Sequence, residues 1–198
     1  CAIMPGCSTR KFHSSKRNAF QGINADPLGF ISVGRNGNCE IEMDVQKPTR
    51  NIAAKPAVFD ENARILQLMA GPHLFADQIK LASNYDAVLF HGTGLGHLPI
   101  EDPNGDSPEN AEMREAVSNY CSKGGTAVMT SQCIHGPIHM DVYSKGRDQQ
   151  DMGIVGNHAT IGPDAALVKL HFLLSIGVDV RSGWDANLCG ENKSSIHN

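Results

Sequence analysis

Three short apolar runs, Ile65-Leu66-Gln67-Leu68-Met69, Ala87-Val88-Leu89-Phe90 and Ala127-Val128-Met129-Thr130, are separated by stretches that carry helix signals. Short runs of mostly apolar residues suit strands buried on both faces, and strands joined through helices must run parallel. The first intervening stretch places Phe75, Ile79 and Ala82 at helical spacing after Gly71-Pro72. The second opens with Ser107 as N-cap and Pro108 at the first helical position. Its apolar stripe is Met113, Ala116, Val117, Tyr120 and Cys121, and Lys123-Gly124 closes it. A further apolar helix begins at Pro163 and ends before Gly177. The pattern predicts an α/β fold: a small parallel sheet with helices on both faces and a ligand edge at the C-terminal ends of the strands.

The first sixty residues read differently. Gly29 to Val33 and Cys39 to Met43 flank an Asn-Gly turn, and Cys39, Ile41 and Met43 alternate with Glu40 and Glu42, which predicts a β-hairpin with one wet face. From Gln46 to Phe59, two prolines and little periodicity predict an extended linker. The boundary falls near Asp60, giving residues 1–60 and 61–198 as two units. Length and composition agree, since 198 residues with 40% hydrophobic content can bury a core.

Lys and Arg number 17 against 21 Asp and Glu, for a net charge of −4, so a basic nucleic-acid tail and an acidic disordered segment are both excluded. No apolar run approaches the roughly 18 residues needed to span a bilayer, and the start lacks the pattern of a signal peptide, so a cytoplasmic location is expected. The six cysteines are scattered without a CxxC pair, as for reduced thiols.

Two polar clusters follow strands. His91-Gly92-Thr93-Gly94-Leu95-Gly96-His97 matches neither the GxGxxG spacing nor a Walker A loop, so it reads either as an irregular phosphate loop or as a tight turn. In Thr130-Ser131-Gln132-Cys133-Ile134-His135-Gly136, Cys133 could be a nucleophile with His135 or His139 as base, or a small buried residue. Cys133, His135 and His139 could also bind zinc, although Gly136-Pro137 breaks the helix that would align the two histidines. Near the start, Thr9 to Arg17 concentrates cations and hydroxyls, as a solvated surface run does, or as a polar site in which a lysine assists an activated hydroxyl.

The order of motifs along the chain adds a further constraint. Arg10-Lys11-x-His13-Ser14-Ser15-x-Arg17-x-Ala19-Phe20, Ile23-Asn24, Pro27-Leu28-Gly29, Gly92 to His97, Val128 to Cys133, Val142-Tyr143-Ser144-x-Gly146-Arg147, the helix from Pro163 to Leu170 and Asn187-Leu188-x-Gly190-Glu191 span nearly the whole chain. In that order they resemble the C-terminal part of the asparaginase/glutaminase family, and within it the glutaminase subunits of archaeal tRNA-dependent amidotransferases.

The resemblance implies an asparaginase-like fold in which residues 1–60 close an N-terminal catalytic domain and 61–198 form the C-terminal domain. It implies a threonine-nucleophile amidohydrolase that releases ammonia from glutamine or asparagine. Lys11 matches the catalytic lysine, expected as a buried or partly buried ammonium beside a threonine and an aspartate. His97 stands where asparaginases carry an asparagine that reaches the substrate of a neighbouring subunit, so a substrate contact within a homodimer is implied. No cofactor or metal is implied for this chain. ATP and Mg are expected at a partner amidotransferase subunit that also makes most of the tRNA contact. Neither a Thr-Gly-Gly-Thr turn nor a Thr-Asp pair occurs in the sequence. With Cys1 in place of Met, the expectation is a chain that starts late in the catalytic domain and is inactive alone. A free-standing L-asparaginase and a noncatalytic α/β binding module are the alternatives.

Overall fold

The computed structural model describes residues 1–44 and 57–192. In the first stretch, β1 (Ala2–Ile3), β4 (Gly29–Val33) and β5 (Cys39–Met43) form one antiparallel sheet, while β2 (Thr9–Lys11) and β3 (Phe20–Gly22) form a separate antiparallel pair. The hairpin has the expected register, with Val33 opposite Cys39 and Gly29 opposite Met43, and Gly37 takes the positive φ that its Asn-Gly turn requires. Its burial departs from expectation. Ile41 and Met43 are exposed along with Glu40 and Glu42, because nothing in the described chain packs on the side that alternation marks as dry. Most of the linker expected over 46–59 lies outside the described residues.

The second stretch contains β6 (Ile65–Met69), α1 (Ala76–Lys80) running into a 3-10 turn over Leu81–Asn84, β7 (Ala87–Gly92), α2 (Pro108–Ser122), β8 (Ala127–Ser131), α3 (Ser144–Met152), α4 (Pro163–Ser175) and α5 (Val180–Gly183). Strands β6, β7 and β8 lie side by side in parallel, and Val155 extends the sheet by a parallel bridge to Val128. Ala87, Val88, Leu89 and Phe90 are all fully buried, as are Val128 and Met129, so both faces of the central strands are covered. Met113, Val117 and Cys121 form the buried stripe of α2. Tyr120 packs beside them and donates from its hydroxyl to Thr126 O. The expected Ser107 cap is modified: its side chain makes no capping bond, and its backbone N–H instead donates to the Asp102 carboxylate at 2.8 Å. Phe75 is exposed at the mouth of α1, where its N–H is held by the Gln78 side chain, while Ile79 and Ala82 carry the buried face.

Helix α4 buries Ala166, Leu170 and Leu173 and also Lys169. The Lys169 ammonium meets the Glu191 carboxylate at 2.9 Å, donates to the carbonyls of Trp184 and Ala186, and lies 5.3 Å from the Trp184 ring centroid. Glu191 in turn accepts from the N–H groups of Leu188 and Cys189. Burial pushes the Glu191 carboxyl up, but those two N–H groups and Lys169 overcome it and hold it down at about 2.

Candidate functional site

The loops after β7 and β8 are stitched together at the C-terminal edge of the sheet. Gln132 donates from its side chain to the carbonyls of Ala70 and His91 and from its backbone to Gly92 O, so one residue ties the ends of all three strands. Ser131 Oγ donates to Gly94 O and accepts from Cys133 N–H. Within the glycine-rich loop, Thr93 and His97 exchange backbone hydrogen bonds at 3.0 Å, and Gly96 N–H also donates to Thr93 O. Three amides that a phosphate cradle would need are thereby committed to the turn itself, which favours the tight-turn reading. Gly92 is required by close approach: a Cβ there would lie 2.7 Å from the backbone of Gly96 and His97.

His97 is 5% exposed, with its ring edge-on to Tyr143 at 5.4 Å between centroids. Its Nε2 is buried without a hydrogen-bond partner. Burial lowers the imidazole pKa, Lys145 lowers it further and Glu101 pulls it back up, so the ring is biased toward the neutral form. Gln149 fixes the backbone beside it: fully buried on α3, it accepts from Leu98 N–H and donates to Gly96 O. Sequence reasoning missed Gln149, since a polar residue on a helix with little apolar character carries no sign of burial.

Lys11 ends β2 opposite Phe20, and its ammonium stands 6.0 Å from the Phe20 ring centroid. It is exposed in this chain, where the resemblance implied burial beside Thr and Asp. The physical reason is that no Thr-Gly-Gly-Thr turn or Thr-Asp pair is available in these 198 residues to enclose it. The cationic run around it is solvated over residues 11–18, and its turn is held by His13 Nδ1, which accepts from the N–H groups of Ser15 and Lys16.

What fastens the strand that carries Lys11 is a set of contacts the sequence did not reveal. Arg10 pairs with Asp164 at 3.3 Å, Phe12 stacks on His135 at 6.3 Å, and Asn24, at φ 51°, bonds with its side chain to both backbone groups of Gly136 and to Thr160 O. His91, at the end of β7, lies in the same field. Burial lowers its pKa, Asp164 raises it and Arg10 lowers it. The first stretch is therefore docked against the loop that follows β8 and the start of α4 through Arg10, Phe12 and Asn24, not through the Lys11 side chain. Lys11 and His97 are held by different neighbours and are not brought into contact.

Cys133 is exposed, not buried as its small apolar side chain suggested, because the loop lifts it out of the sheet directly after Ser131 and Gln132 enter their bonds. Cys133, His135 and His139 do not converge. Among the described residues the one group of three possible metal ligands is instead His139, Asp141 and His158. A separate cavity of about 440 Å³, lined by Cys7, Ile23, Phe59, Val168, Phe172 and Leu188 among others, is apolar and contains neither Lys11 nor His97. No described helix is long and apolar enough to cross a membrane.

The family model for the glutaminase/asparaginase C-terminal domain matches residues 64–182. A glutamyl-tRNA(Gln) amidotransferase subunit from Metallosphaera sedula is 31% identical over 189 residues, 94% of this chain and 40% of that protein. Its counterpart from Methanopyrus kandleri is 26% identical over 184 residues, 91% of this chain and 38% of that protein. The chain thus spans about two fifths of the length of these relatives. Among solved structures, the thermostable L-asparaginase of Thermococcus kodakarensis superposes with a TM-score of 0.76 at 24% identity, covering 98% of this chain and 56% of that one. L-asparaginase I of Vibrio cholerae gives 0.70 at 24% identity, covering 98% and 55%. These two structures share the fold, and the match over more than half of the chain places it, by its own sequence, in the glutaminase/asparaginase family.

Proposed function

We propose that this chain is part of an amidohydrolase that liberates ammonia from glutamine, or from asparagine, for a tRNA-dependent amidotransferase converting Glu-tRNA(Gln) to Gln-tRNA(Gln). The observation that carries this reading is the run of likeness to glutamyl-tRNA(Gln) amidotransferase subunits along 91–94% of the chain, well beyond the family domain at residues 64–182. In this reading residues 1–60 end the catalytic domain and 61–198 form the C-terminal domain. Lys11 supplies a positive charge to the alkoxide of a threonine outside these residues and moves a proton during attack on the side-chain amide. Its present exposure leaves it free to receive that partner.

His97 is proposed to approach substrate across a homodimer interface. Its Nε2 is uncommitted but closed off within the chain, so the contact requires the residues that cover it to move. ATP and Mg would act on the partner subunit, which also carries most of the tRNA contact, in keeping with the −4 charge of this chain and with a cytoplasmic setting. A free-standing L-asparaginase is the second reading, favoured by the fold shared with two L-asparaginases.

The test is ammonia release from glutamine and from asparagine by the complete protein, with and without partner subunit and Glu-tRNA(Gln). Glutamine-dependent release stimulated by the charged tRNA and lost in Lys11→Ala is the expected result. Release from asparagine alone, independent of tRNA, would select the second reading. The isolated 198 residues are expected to release none, and release that disappears in Lys11→Ala would overturn the assignment of the nucleophile to another segment.

A further inference from the structure

We propose that His139, Asp141 and His158 form a binding site for a divalent cation of the zinc type. One candidate ligand atom from each residue lies within 4.8 Å of the other two. Asp141 Oδ2 is 3.0 Å from His158 Nε2 and 3.9 Å from His139 Nδ1. Zinc–ligand bonds of about 2.0–2.2 Å in a tetrahedral arrangement put ligand atoms roughly 3.3 Å apart, so the two distances bracket the required value. The imidazoles are set edge to face at 5.2 Å between centroids, an arrangement that lets two ring nitrogens face one point without the rings colliding.

A hydrogen-bonded pair of His158 and Asp141 would account for two of the residues but not for the third. His139 Nδ1 is sealed from solvent and has no hydrogen-bond partner, although the rest of its side chain is 43% exposed. A buried ring nitrogen left unpaired is costly, and a cation at the common focus would use its lone pair. The carboxylate is also oriented from behind. Asp141 Oδ1 accepts from Gln150 at 3.0 Å and from Asn157 at 2.8 Å, which leaves Oδ2 for the imidazoles. Such outer partners commonly fix metal ligands.

The two ligand-bearing segments are braced by backbone bonds from His158 N–H to Ile138 O and from His139 N–H to Leu95 O, and by Asn157 Oδ1, which accepts from Met140 N–H. Two imidazoles and one carboxylate suit zinc, cobalt, nickel or copper rather than magnesium or calcium. With Asp141 and His158 side chains 46% and 65% exposed, water completes the coordination. A bound cation would clamp the 138–141 segment to 157–158 and, through Leu95, steady the loop that carries His97.

The probe is Co²⁺ added to the purified chain, read by absorption, with Zn²⁺ affinity measured by calorimetry. A nitrogen and oxygen site gives visible d–d bands without the intense near-ultraviolet charge-transfer band of a thiolate. We expect such bands to saturate at one equivalent, and Zn²⁺ affinity to fall at least tenfold in Asp141→Asn and in His158→Asn. Asparagine is chosen at 158 because that residue holds φ at 64°, which asparagine tolerates. In the unsubstituted chain, Zn²⁺ should shift the ring-proton resonances of His139 and His158 together, a readout that does not depend on a variant folding. Absence of saturable binding, a thiolate band, undiminished affinity in both folded variants, or unmoved His139 and His158 resonances would each overturn the site.

Discussion

Lys169 and Glu191 show how far a single position can depart from its local pattern. Their side chains are each 3% exposed, and the pair survives burial because every charge has several partners. Lys169→Met removes the cation and leaves a carboxylate buried, so a loss of about 3–5 kcal/mol is expected in urea denaturation. Lys169→Met combined with Glu191→Leu should recover most of it, since no uncompensated charge remains. The pH dependence follows from the Glu191 carboxyl, held at about 2 instead of its ordinary 4.5. A group depressed in the folded state contributes stability that is full above the unfolded value and is lost as pH falls through the folded one. Denaturation midpoints measured between pH 5 and pH 2 should decline across that window in the native chain, and the Glu191 contribution to the slope should vanish in the double variant. In the sequence, Lys169 was visible only as one cation in an apolar helix. Its burial depends on the carbonyls of Trp184 and Ala186, which the chain brings back only after α5.

At the scale of elements, the strands of the parallel sheet and the helices α2 and α4 were legible because burial on one stripe or on both faces imposes a period on the residues. The hairpin was legible in register but not in exposure. Alternation in Cys39–Met43 states that one side of the ribbon is apolar, and it cannot state whether this chain supplies a cover. The joins between elements were least legible. Gln149 links α3 to the loop after β7 by satisfying Leu98 N–H and Gly96 O, two backbone groups distant in sequence. Gln149→Leu keeps the volume and strips both partners, so it should cost about 2–6 kcal/mol, at about 1–3 kcal/mol for each unpaired group. Hydrogen exchange would locate the effect, with the Leu98 amide losing protection before the β7 amides do.

For the whole molecule, residues 1–44 attach to the parallel-sheet unit outside its main hydrophobic cluster. The hydrophobic cluster is built from residues between Leu68 and Trp184, while the first stretch adds buried Ala19 and Ile23, the Arg10–Asp164 pair and the bonds of Asn24. Asn24→Gly preserves the positive φ and deletes the side-chain bonds to Gly136 and Thr160. It should cost about 1–2 kcal/mol and loosen the first stretch selectively. Limited proteolysis should then cut within residues 1–44 faster than in the native chain, with the sheet unit resisting as before.

The sequence by itself determined the three parallel strands, the helices α1, α2 and α4, the hairpin register and the order of motifs around Lys11, His97 and Cys133, because these depend on spacing along one local backbone, whereas β1, β2, β3, α3 and α5 carried no such signal. Only the tertiary structure decided that Phe12 docks on His135 of the β8 loop while Lys11 stays exposed, that Cys133 faces outward, and that His139 finds Asp141 and His158 instead of Cys133. Those outcomes depend on which loops meet at the sheet edge, and hydrogen bonds between residues as far apart as Asn24 and Thr160 leave no periodic trace in the chain that makes them.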